Sequence, residues 1–204
     1  MGQGIVIAGL NGSGKSTLAH ALAKTIHYYE MDVEDYYFPE QKASRQIALD
    51  HCDGAACRHL GALPFSRPRE KSDVQRALLD DIHAHPRFIL ASVTMNWCEE
   101  ILSQVCLAVL LEAPVEERVH RIQEREKARF GDRVLAGGDM FEQQQVFCNT
   151  LARRSGQVVQ ESMSGLSCPV IGLDGMQAVS RNVEKVIRYR NSMNPSGLLP
   201  DEYA

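Results

Sequence analysis

The stretch GLNGSGKST at residues 9–17 sets three glycines, a lysine and hydroxyl side chains at fixed spacing. A tight turn needs a glycine or two; it does not need a lysine with hydroxyls behind it. Gly9-x-x-x-x-Gly14-Lys15-Ser16 has the spacing of a phosphate-binding loop, and it stands where such a loop must stand, between an apolar run (GIVIA, 4–8) and a helical pattern. Glycines let the backbone curl so that several N–H groups point at phosphate oxygens. The helix that follows adds its positive N-terminal end. Lys15 reaches the β- and γ-phosphates, and the Ser16 hydroxyl ligates Mg²⁺. The chain is therefore expected to bind ATP with Mg²⁺, cradled by Gly9, Asn11, Gly12, Ser13, Gly14, Lys15, Ser16 and Thr17. A glycine-rich turn with a chance lysine would not explain the strand before it and the helix after it.

Two further clusters carry charge suited to phosphate chemistry. The second apolar run ends EMDVEDYYFP, which places Asp32, Glu34 and Asp35 at one end of a strand, the edge where open α/β sheets bind ligands. Carboxylates there can hold Mg²⁺ or orient a hydroxyl; the plain alternative is a solvated acidic loop. Arg118, Arg121 and Arg125 share one helical face by spacing, and Arg129 and Arg133 continue the series. Planar guanidinium groups can stack on rings and clamp phosphate oxygens. The plain alternative is a solvated face paired with Glu116, Glu117 and Glu124. Arg67, Arg69 and Lys71 could receive a substrate phosphate or form a basic loop. Trp97, Tyr36 and Tyr37 could flank a ring or sugar, although packing is the more ordinary role for aromatic residues.

These groups need a frame. Five apolar runs read as strands: 4–9, 27–32, 87–93, 106–112 and 169–174. Most are near-continuous, as strands buried on both faces of a parallel sheet are. Helical patterns lie between them at 15–26, 72–84, 115–129, 139–163 and 178–190. The expected class is α/β: a doubly wound, five-stranded parallel sheet flanked by helices, with a small lid. Residues 1–190 form one domain. Within it, 36–71 is the expected acceptor-binding segment, and 39–71 reads as a loop or irregular lobe. Residues 115–138 form the expected lid, hinged at the break 130–138, and 191–204 form a flexible tail.

The chain resembles the small-metabolite and nucleotide kinases of the P-loop class. Asp32-Val-Glu34 is similar to the Asp-x-Asp stretch of shikimate and gluconate kinases, and Glu34-Asp35-Tyr36-Tyr37 to a stretch of uridine kinases. The resemblance implies Asp32 for the metal side and Glu34 or Asp35 for the acceptor, without choosing between them. EAPVEERVHRIQER resembles the adenylate kinases after their fourth strand, with Pro114, Arg121 and Arg125 in matching places. That implies stacking on adenine for Arg121 and phosphate contact from the lid for Arg125, with Arg129 and Arg133 as further lid cations. LDGMQ resembles the same family's fifth-strand loop, which implies a backbone contact to adenine at Gln177. The resemblance covers residues 1–35 and 105–190. Between them, SVTMNW (92–97) replaces the family's Asp-Gly-Phe-Pro-Arg, and AMP-binding helices have no counterpart in 39–71.

Composition narrows the rest. Net charge is −4 with no long basic tract, so nucleic acid is not an expected partner. No apolar run approaches the ~20 residues of a membrane helix. No signal peptide is evident, and Val6 stands where a myristoylation site wants Ser or Thr. Six scattered cysteines read as reduced thiols of a cytoplasmic protein. His51, Cys52, Cys57 and His59 match no common zinc spacing. The oligomeric state and the acceptor have no readable signal. The expected activity is transfer of the γ-phosphoryl group of ATP to a small-molecule or nucleotide acceptor. The rival is a P-loop ATPase or switch, which usually carries an acid at the end of a strand beside the loop; the third run instead ends Ala91-Ser92-Val93-Thr94.

Overall fold

Alternate side chains of the first strand, Ile5 and Ile7 against Val6 and Ala8, are fully buried on opposite sides of the sheet. The computed structural model describes residues 2–42 and 68–193, and five parallel strands lie among them. These are β1 (Gly4–Ala8), β2 (Tyr29–Asp32), β3 (Phe88–Ser92), β4 (Val105–Glu112) and β5 (Val170–Asp174), in spatial order β2-β3-β1-β4-β5. The central trio keeps register through Val6 beside Leu90 and Ala108.

Helices cover both faces, as a parallel sheet requires. On one face, Leu18, Leu22 and Ile26 of α1 (Lys15–Ile26) and Val183 and Val186 of the last helix pack on Ile5, Ile7, Ile89 and Val109. On the other, Val74, Leu78 and Ile82 of α3 (Lys71–Ala84) pack with Val6, Phe88, Leu90 and Ala108. Short helices α2 (Val33–Tyr37) and α4 (Glu99–Leu102) follow β2 and precede β4. The chain then continues through α5 (Val115–Phe130), α6 (Phe141–Ala152), α7 (Gln157–Met163) and α8 (Val179–Met193).

Four details depart from the pattern expected of the sequence. Residues 139–163 form two helices rather than one. The break falls at Ser155-Gly156, where the Ser155 hydroxyl accepts the Gln157 N–H at 3.2 Å and supplies a local alternative to the helical ladder. β5 is an edge strand: Val170 is 46% exposed and only Leu173 is buried, so it is not covered on both faces. α8 runs to Met193, so residues 191–193 belong to the helix rather than to a tail. The stretch 130–138 is not simply open: a 3-10 turn fills Gly131–Val134, and Val134 is buried. Much of the expected lobe at 39–71, with His51, Cys52, Cys57, His59 and Arg67, lies outside the described residues; of it, Lys42 after a 3-10 turn at Pro39–Gln41 and residues 68–71 are described. Among the described residues, Cys98, Cys106, Cys148 and Cys168 are free thiols, no cluster of His, Cys, Asp and Glu is arranged to hold a metal, and no helix is long and apolar enough to cross a membrane.

Tyr36 is a tie between elements rather than a ring-flanking group. Its hydroxyl donates to Asp81 Oδ2 at 2.5 Å, joining α2 to α3. Burial, and then that bond, push the phenol well above its ordinary range. Tyr36→Phe is expected to cost about 1.5–3 kcal/mol in urea unfolding, the usual worth of a bond to a charged acceptor. Nucleotide affinity should not move; a change there as large as the stability loss would return Tyr36 to the ligand site.

Candidate active site

The loop after β1 gets its shape from two glycines with left-handed backbones. Gly12 has φ +82, and a Cβ there would sit 2.3 Å from the Arg118 carbonyl oxygen. Gly14, at φ +99, caps α1. Between them Ser13 is fully buried, and its Oγ has no hydrogen-bond partner among the described residues. Gly9 is pressed against the Leu111 carbonyl. Gly9 and Ser13 thus shape the loop from beneath, whereas Asn11, Gly12, Gly14, Lys15, Ser16 and Thr17 line a cavity of about 570 Å³.

That cavity is walled by three other groups. Asp32, Glu34 and Asp35 come from the end of β2 and the first turn of α2. Arg121, Ile122, Arg125 and Arg129 come from α5; Tyr29, Glu30 and Lys42 complete the wall. Lys15 is nearly buried, and its Nζ donates to the Leu10 carbonyl at 3.1 Å. Burial pulls its pKa below the ordinary lysine range, against the opposing charges of Glu34 and Asp32. Ser16 Oγ donates to Asp32 Oδ2 at 2.6 Å, and Asp32 Oδ1 accepts the Glu34 N–H at 3.0 Å, capping α2. Burial, then the Glu34 charge, hold the Asp32 carboxyl above its ordinary range. A half-buried hydroxyl and carboxylate converging in this way form a set of hard oxygen ligands that suits a small divalent cation.

The arginines divide. Arg118 is buried; its Nη1 donates to the Asn11 carbonyl at 3.5 Å and braces the loop. Arg121 spans the gap between α5 and the β5–α8 loop, donating to Ser13 O at 3.4 Å, Gly175 O at 3.1 Å and Glu117 Oε1 at 2.7 Å. Arg125 and Arg129 both donate to Glu126 Oε1, at 2.9 and 3.4 Å. Burial alone would lower the Arg125 pKa, but the charges of Glu126, Glu34 and Asp32 outweigh it and hold the group above its ordinary range. Arg133 is not brought to the cavity: it lies beyond the end of α5 and makes a two-pronged, exposed pair with Asp139 at 2.8 and 3.0 Å. Gln177 is likewise off the wall; its N–H goes to Asp174 O at 3.2 Å and its side chain to Asp174 Oδ2 at 3.1 Å.

Glu30 and Lys42 on the cavity wall, and Glu126 and Arg154 beside it, escaped the sequence reading. Glu126 is buried on α5, where nothing in its spacing separates it from solvated glutamates. Arg154, at the α6–α7 break, reaches Asn11 Oδ1 at 3.4 Å, and Asn11 Nδ2 in turn donates to Glu34 Oε1 at 3.3 Å. A second cavity of about 260 Å³ opens beyond the acidic cluster, lined by Val33, Tyr37, Lys71, Ala91, Ser92, Val93, Thr94, Asn96 and Trp97. Lys15, Ser16, Asp32 and Glu34 line both cavities.

Comparison with known proteins agrees with this frame. An uncharacterized protein, YqaC, of Bacillus subtilis is 28% identical over 200 residues, covering 94% of this chain and 99% of that one. A cytidylate kinase of Methanosarcina acetivorans is 29% identical over 132 residues, 65% of this chain and 68% of its own. Among solved structures, a sugar kinase of Janibacter superimposes with a TM-score of 0.53 at 17% identity, covering 94% of this chain and 95% of its own. A shikimate kinase of Acinetobacter baumannii gives 0.51 at 15%, with 95% and 96% covered. The fold is therefore that of the P-loop kinases. A family profile described as an AAA domain matches residues 5–137, about two thirds of the sequence, and the chain belongs to that family, AAA_18.

Proposed function

We propose that this chain transfers the γ-phosphoryl group of ATP to a hydroxyl or phosphate of a small-molecule or nucleotide acceptor. The observation that carries this reading is the shared wall: Lys15, Ser16, Asp32 and Glu34 face both a large cavity under the loop and a smaller one beyond it. An ATPase needs one cavity and a water; a kinase needs two substrates that meet at one set of groups.

ATP lies in the larger cavity, its phosphates against the loop N–H groups and Lys15, and its adenine beside Arg121. Ser16 and Asp32 would hold Mg²⁺, which when bound draws negative charge from the phosphate oxygens. The acceptor lies in the smaller cavity. Its oxygen forms a bond to the γ-phosphorus as the bond to the bridging β–γ oxygen breaks. With a hydroxyl acceptor, the proton passes to the Glu34 carboxylate, and ADP leaves. Arg125 and Arg129, held by Glu126, neutralise charge on the phosphoryl group in flight, because such transfers rest on positioning and electrostatics. Arg133 is left out of this step.

The absence of an acid at the end of β3, which stops at Ser92, favours transfer over hydrolysis. Glu112 ends β4, but it accepts from Gln160 at 3.3 Å and does not line the ATP cavity. The test is an ATP-consumption screen across nucleosides, nucleoside monophosphates, sugars and hydroxy acids. Slow basal hydrolysis that yields to stoichiometric transfer supports the reading. Fast hydrolysis indifferent to every acceptor would make the protein an ATPase.

The arginines refine that test. Arg121→Ala is expected to raise the ATP Michaelis constant with a modest loss of turnover, since Arg121 sits at the adenine end. Arg125→Ala should lower turnover by about 10²–10³ with a smaller change in that constant, the range seen for lost electrostatic stabilisers. Steady-state kinetics check both. Equal, small effects from the two would reduce the arginine face to solvated surface.

A further inference from the structure

The smaller cavity is electrically polar along its length, and that polarity specifies what enters it. At the end shared with ATP stand Asp32 and Glu34. Lys71, Asn96 and Trp97 line only the smaller cavity, so they mark its far end. Lys71 comes from the first turn of α3, and its Nζ lies 5.8 Å from the centre of the Trp97 ring. That ring contact is its interaction among the described residues, and it faces no carboxylate there. A ring face leaves ammonium N–H donors available. Tyr37 packs beside Trp97 with ring centres 6.5 Å apart, giving that end an aromatic floor.

Resting on the transfer reading above, we propose that the acceptor is anionic: a small hydroxylated acid or phosphate monoester whose anion is held by Lys71 and whose body packs on Trp97 and Tyr37. Like charge at Asp32 and Glu34 turns the anion away from the transfer end. The molecule therefore enters with its reacting oxygen toward Glu34 and its charge toward Lys71. A neutral sugar or nucleoside makes no ionic contact with Lys71 and gains no such orientation.

Trp97 is the chain's single tryptophan, so its fluorescence reports on this cavity without any turnover. The experiment titrates the full chain with matched probes: a sugar acid against its neutral sugar, and a nucleoside monophosphate against its nucleoside. These two arms separate carboxylate from phosphate. An anionic member of at least one pair should shift the emission saturably and bind about tenfold or more tightly than its neutral partner. Lys71→Ala should erase that preference, and Lys71→Arg should keep most of it. The proposal is overturned by a neutral partner binding as tightly, by Lys71→Ala binding the acid as wild type does, or by no probe moving the emission while ATP·Mg²⁺ still binds by calorimetry. Because emission is read without transfer, its outcome is separate from that of the ATP-consumption screen, which alone decides whether the chain is a kinase.

Discussion

Lys15→Ala is expected to remove most ATP-dependent turnover, by about 10²–10³, while the protein stays folded. The ammonium is the one cation of the loop itself, and it lies between the two cavities. It is 9% exposed, so little water screens its charge. Its Nζ rests on the Leu10 carbonyl rather than on a carboxylate, which leaves the remaining N–H donors for phosphate oxygens. Removal of a pre-placed, nearly buried cation costs far more in the transition state than loss of an exposed charge would. The two hydrophobic clusters that flank the sheet do not include Lys15, so their packing survives the change. Calorimetry with ATP·Mg²⁺, with circular dichroism as the folding control, checks the expectation. Unchanged affinity together with unchanged turnover in a folded variant would remove the basis of the transfer reading.

The parts of this site that could be read from the sequence are those written in contiguous residues. Gly9 to Thr17 is one short stretch whose spacing carries its geometry, and Asp32 follows directly from the end of an apolar run. Strand and helix alternation sufficed for the parallel sheet because its central strands, β1, β3 and most of β4, are buried and apolar. The smaller cavity was not legible as a unit, since Val33, Glu34 and Tyr37 meet Lys71, Ala91 to Thr94, Asn96 and Trp97 only after β2 and β3 pair. Glu126 was missed for a different reason. A glutamate on a charged helix face has the same spacing whether it faces water or two arginines, and its burial comes from tertiary packing that spacing does not carry. Arg133 was over-read because the 3.6-residue repeat stops counting where α5 stops, at Phe130; beyond it, a 3-10 turn sends the side chain to Asp139 instead. The helix break at Ser155-Gly156 hid Arg154 in the same way, by turning the chain at a point where the sequence reading ran one helix through.

Glu34 and Asp35 looked equivalent as acceptor contacts, and the structure separates their surroundings. Asp35 lines the larger cavity alone, whereas Glu34 lines both cavities and accepts from Asn11 Nδ2 at 3.3 Å. Asn11 belongs to the phosphate loop, so this bond ties the acid to the place where the γ-phosphoryl group would lie. Glu34 also follows Asp32, whose carboxylate caps its N–H at 3.0 Å and fixes the turn that aims it. A proton acceptor held in this way between donor and acceptor is worth about 10²–10⁴ in rate. Glu34→Gln keeps the size and the hydrogen-bonding oxygen but cannot take up a proton. It is therefore expected to lower turnover by that factor with the ATP Michaelis constant little changed. Asp35→Asn should cost tenfold or less, since it leaves the proton path intact. Single-turnover transfer from ATP, measured with the acceptor that the screen identifies, distinguishes the two. A larger loss from Asp35→Asn would move the acceptor's reacting oxygen into the ATP cavity. Wild-type rates in both variants would leave the acidic turn as solvated surface and the proton without a destination on this chain.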